Sequence, residues 1–66
     1  MEPKYPKVKV RLSGEDGNVF SIIGRVVHAL KRAGEEAAAQ EFQAKAFSAH
    51  SYDEVLSLCM ATVTTS

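Results

Sequence analysis

Residues 19–33, VFSIIGRVVHALKRA, sort by side-chain type when wound at 100° per residue. Val19, Phe20, Ile22, Ile23, Val26, Val27, Ala29, Leu30 and Ala33 share one arc, and Ser21, Gly24, Arg25, His28, Lys31 and Arg32 fill the other. Lys31 and Arg32 fall in the last turn, where cations suit the helix dipole, and Gly34 follows as a natural C′ residue. The apolar arc spans about half the circumference, wider than the roughly 100° stripe of a one-sided surface helix. Such a helix must face two elements, or one element and a partner.

The flanking segments have other periods. KVKVRL (7–12) alternates, with Val8, Val10 and Leu12 on one side and Lys7, Lys9 and Arg11 on the other, which predicts a half-buried strand. Two prolines within MEPKYP make residues 1–6 a loose lead-in. Glu35 and Glu36 open a second helix whose stripe is Ala38, Ala39, Phe42, Ala46 and Ala49. Phe47 falls off that stripe, beside Glu36, Gln40 and Gln43. Ser51 and Glu54 form a capping box, in which the serine bonds the first turn and the carboxylate reaches toward the Ser51 amide. The helix that follows carries Tyr52, Val55, Leu56, Cys59 and Met60 as its core stripe. ATVTTS at the end is rich in β-branched residues and can pair as a short strand with KVKVRL. The expectation is one α+β domain over 1–66, with three helices packed on a two-stranded sheet of N- and C-terminal strands, in the order β-α-α-α-(β).

A chain of 66 residues buries only about 60% of its unfolded surface. Domains this small usually carry a staple. A single cysteine, Cys59, rules out an intramolecular disulfide, and with His28 and His50 it is too little for a closed structural zinc site. A protein partner, or a second copy of the chain, is then the remaining way to complete the core. No signal-peptide or membrane-span pattern is present, which together with the lone cysteine gives the expectation of a soluble, cytoplasmic protein. Net charge is zero but uneven: residues 1–11 hold four cations against one acid, a basic arm on an acidic body.

Candidate chemistry is sparse. SGEDGN (13–18) lacks the lysine and hydroxyl residue of a P-loop, and Glu15 and Asp16 would repel a phosphate. The same acids miss the EF-hand spacing. The segment is better explained as a turn, with Gly14 and Gly17 supplying unusual φ values and Asp16 or Asn18 capping the helix. The pairs Glu15–Asp16, Glu35–Glu36 and Asp53–Glu54 all stand at helix starts, where dipole compensation accounts for them. Cys59 on an apolar stripe is inert packing, and no G-x-S-x-G elbow appears, so no catalytic, metal or cofactor-binding residue is assigned.

Two partner-binding features remain. Lys7, Lys9 and Arg11 on the strand, extended by Lys4 and accompanied by Tyr5, could contact the phosphates of a nucleic acid, and Arg25, His28 and Arg32 on the first helix could likewise meet an acidic partner. Against nucleic acid, the sequence pI is near 6.7, where binding domains are usually clearly basic. Exposed strand lysines also guard against edge pairing. Surplus apolar surface at Phe20, Val27 and Phe47 either completes the core or marks an interface, and Glu15 and Asp16 could join it.

GEDGNVF, IIGRVVHALKRAG and SYDEVL resemble a set of short bacterial and phage proteins in which a G-x-D-G-N-x-F turn precedes a hydrophobic helix. Val55–Leu56 stands where that pattern has a double leucine. The resemblance spans about Val8 to Met60 and implies a phage or mobile-element setting, with no catalytic residues to carry over. The expected function is a non-catalytic protein–protein interaction module, such as an inhibitor or regulator of a larger complex. A nucleic-acid-contacting accessory protein is the second reading, and a small enzyme a remote third.

Overall fold

The computed structural model describes residues 2–12 and 18–65. The elements run β1 (Tyr5–Val10), α1 (Val19–Arg32), α2 (Glu36–Phe47), α3 (Tyr52–Thr62) and β2 (Val63–Thr65). This is the expected α+β order, with the terminal strands paired. The pairing is parallel, Tyr5 opposite Val63, Lys9 opposite Thr64 and Val10 opposite Thr65. Parallel strands cannot be joined by a tight hairpin, and here the three helices together form the connection.

β1 begins two residues earlier than the alternation suggested. Tyr5 and Pro6 belong to it, and the Lys4 N–H donates to the Ala61 carbonyl at 2.9 Å. Pro6 is tolerated because the register is irregular between Tyr5 and Lys9, and a proline in a strand needs an edge or a bulge. Its carbonyl is still used, accepting from Thr64 Oγ1 at 2.7 Å. Beyond it the alternation holds: Val8 and Val10 are buried, Lys7, Lys9 and Arg11 exposed, Leu12 half-buried.

The helix ends follow from local chemistry. Asn18 Oδ1 accepts from the Phe20 N–H at 2.9 Å, closing the start of α1; Gly14, Asp16 and Gly17 lie outside the described residues. At the other end Gly34 has φ +82°. Its N–H donates to the Lys31 carbonyl, and that of Glu35 to Leu30, at 3.0 and 2.8 Å. These are the 5→2 and 6→1 bonds of a Schellman motif. α2 lacks a side-chain cap at Glu35. Ser51 Oγ accepts from the Glu54 N–H at 3.1 Å, as a capping box requires. The return bond differs from expectation: Glu54 Oε2 accepts from the His50 N–H at 2.7 Å, not from that of Ser51. Ser51 is extended (φ −152°, ψ 162°), which brings the preceding amide over the first turn.

α1 supplies the central wall of the core. Ile22, Ile23, Val26 and Leu30 are buried, meeting Val8 and Val10 of β1, Ala39, Phe42 and Ala46 of α2, Val55 and Cys59 of α3, and Val63. The wide apolar arc therefore faces several elements, as its width demands. On α2 the small residues Ala39 and Ala46 flank Phe42, so the helix approaches α1 closely around one large ring. α3 is rotated from its expected stripe: Leu58 is half-buried, whereas Tyr52 and Met60 are exposed. No buried side-chain polar atom among the described residues lacks a partner, and none of the helices there is long and apolar enough to cross a membrane.

Candidate interaction surfaces

Three aromatic rings that could have been buried are not. Phe20 is 67% exposed, Phe47 55% and Tyr52 43%. Each sits at a helix end: Phe20 is the second residue of α1, Phe47 the last of α2, Tyr52 the first of α3. The fold brings these ends to one place. Phe20 and Phe47 stack with ring centroids 6.1 Å apart and a tilt of 39°. With Tyr52 they border a groove of about 440 Å³ whose floor is Ile23, Ala46 and Val55 and whose remaining wall is the turn Ala49–His50–Ser51. Among the described residues, no Lys, Arg, Asp or Glu lines it. Charge depletion with aromatic enrichment is the composition of a protein interface core. Val27, the other residue at the edge of the apolar arc, is half-buried against the core and takes no part.

The basic residues gather at the opposite end of α1. Lys7 and Lys9 of β1 and Arg32 of α1 line one shallow depression of about 340 Å³, floored by Val8, Ala29 and Ala33. Arg11 is exposed just beyond the strand; Arg25 and His28 are exposed on α1 but do not border this depression. Glu15 and Asp16 lie outside the described residues. Charge is more segregated than the sequence arm alone implies. Seven of the eight lysines and arginines belong to the β1 segment and α1, while from Glu35 onward there are five acids and only Lys45 in opposition.

Away from these two surfaces α2 carries an ion pair of its own. Lys45 Nζ donates to Glu41 Oε1 at 3.0 Å, and Lys45 first, then Lys4, hold the Glu41 carboxyl below its usual range. Burial pushes the Cys59 thiol up to about 11, so it carries no thiolate near neutral pH, the form a nucleophile needs. Among the described residues no three His, Cys, Asp or Glu side chains gather around a point that could hold a metal ion.

Tyr52 was the aromatic that sequence periodicity misassigned, and the juxtaposition of Lys7 and Lys9 with Arg32 links residues over twenty positions apart. Comparison with protein-family models, with curated proteins and with solved structures returns no match.

Proposed function

We propose that the protein is a non-catalytic interaction module that binds another protein, or a second copy of itself, through the aromatic groove. The observation that carries this reading is the convergence of Phe20, Phe47 and Tyr52 around an uncharged apolar floor. Contiguous exposed apolar surface of this kind marks binding sites more often than chance, and aromatic anchors supply most of an interface's energy. Inhibition or regulation of a larger complex, the setting implied by the resemblance to short phage and bacterial proteins, is a role such a module would fill.

Contact with nucleic acid is the second reading, supported by the clustering of Lys7, Lys9 and Arg32. It ranks lower because the chain is not clearly basic, with a sequence pI near 6.7, where nucleic-acid-binding domains are usually well above that.

The test is differential capture by the immobilised chain at 0.1 M and 1 M salt, with sedimentation at rising concentration for self-association. A partner held by the native chain at both salts and lost with Phe20→Ser/Phe47→Ser supports the groove. A partner stripped by salt and indifferent to that double variant overturns it in favour of a polyanion.

A further inference from the structure

We propose that the basic depression between β1 and α1 binds an extended acidic peptide segment of a partner protein, laid alongside β1. This surface is distinct from the aromatic groove, and neither proposal depends on the other.

Among the described residues β1 pairs only with β2, in a two-stranded sheet, so on its other edge main-chain N–H and C=O groups remain for an incoming strand. Beside β1 runs the C-terminal half of α1, whose Ala29 and Ala33, with Val8, give the depression a low apolar floor. Lys7 and Lys9 flank the buried Val8 on one strand and both stay exposed, so they present two cations at alternate positions, as the side chains of an extended peptide also alternate. Arg32 lines the same depression from the helix side, so a peptide laid there with acidic side chains is matched by three cations. The channel continues past Lys7 toward Lys4 and Tyr5 through a second hollow that shares Val8 and Ala33. Among the described residues only one acid, Glu35, borders the two hollows.

Lysines on an edge strand repel another copy of the same strand. They do not repel an acidic one, so the device that prevents self-pairing also selects this partner by charge. An extended peptide fits better than a run of stacked bases, because the floor between Lys7, Lys9 and Arg32 is aliphatic and, among the described residues, Tyr5 is the one aromatic ring bordering either hollow. Strand addition of this sort takes affinity from main-chain bonds and specificity from alternate side chains.

The experiment uses the whole chain labelled with ¹⁵N and three probes: an eight-residue peptide alternating Glu with Thr, its Lys–Thr counterpart, and a thymidine octanucleotide. The expected result is that the Glu peptide alone moves the amides of residues 7–10 and 29–33. Binding should weaken at least tenfold in Lys9→Glu/Arg32→Glu, whose dispersed spectrum verifies folding, and stay unchanged in Phe20→Ser/Phe47→Ser. The proposal is overturned if the octanucleotide moves the same amides at lower concentration, if the charge-reversal variant binds the Glu peptide equally, or if no probe moves them.

Discussion

The two ends of α1 carry opposite chemistry on one rigid element. Near its start Phe20 leans on Phe47 over an apolar groove; near its end Arg32 stands across from Lys7 and Lys9. Phe20 and Arg32 are twelve residues apart, about 18 Å along a helix. Between them Ile22, Val26 and Leu30 are wholly enclosed. Burial and display are thus set by position along the helix as much as around it. The middle of α1 packs against β1, α2 and α3, while Phe20 and Arg32 near its two ends stay exposed.

Both ends depend on that enclosed middle, and the most damaging substitution falls there. Leu30→Ala should cost about 2–5 kcal/mol, set against a total stability of roughly 3–10 kcal/mol for a domain this size. Urea denaturation followed by circular dichroism should show a largely unfolded or barely folded chain, with both surfaces lost together. Loss of one surface alone would mean that the two ends are supported separately.

A smaller effect comes from Cys59, buried against the same wall. Its thiol is held up to about 11 in the folded chain from an ordinary value near 9. A raised acid keeps its proton when folded and loses it when unfolded, so stability is full below about pH 9 and falls as pH rises toward 11, by an amount of the order of 2 kcal/mol. The measurement is the difference in urea midpoint between pH 8 and pH 10.5, taken for the native chain and for Cys59→Ala so that only the contribution of the thiol is compared. The native chain should lose more. An equal loss would show that the thiol is ionised in place.

Smaller again are the helix ends that define where each surface begins. Gly34→Ala places a Cβ at φ +82° and should cost about 1–2 kcal/mol through the left-handed conformation alone, since nothing lies within 4 Å of that Cβ. Ser51→Ala should cost about 1 kcal/mol by removing the cap on α3. Thermal melts of both variants check these values, and the Gly34 change should disturb the basic end more than the aromatic one.

α1 was legible because a 3.6-residue period sustained over more than three turns specifies a helix and little else, and the terminal strands because alternation and β-branching agree with pairing. The direction of that pairing was not, since periodicity carries no information on whether strands run together or apart. The aromatic groove was half legible. Phe20 and Phe47 stood out as surplus, but a helical wheel treats a helix as endless, and Phe20, Phe47 and Tyr52 all sit where a helix stops. Their neighbours come from other elements, which no local pattern names. Arg32 joins Lys7 and Lys9 for the same reason, through the packing of α1 on β1.

The least costly substitution is the most discriminating. If Phe20 and Phe47 completed the core, removing both rings would cost several kcal/mol, as for any pair of buried aromatics. Both are more than half exposed and their rings pair with each other at 6.1 Å, a tilted pair worth about 0.5–1.5 kcal/mol beyond area burial when well packed. Phe20→Ser/Phe47→Ser should therefore shift the urea midpoint by the equivalent of about 1 kcal/mol or less. A wild-type-like stability with lost binding separates display from architecture, because only a displayed side chain can be removed so cheaply. A loss above about 3 kcal/mol would return both rings to the core and leave the basic end as the sole candidate surface.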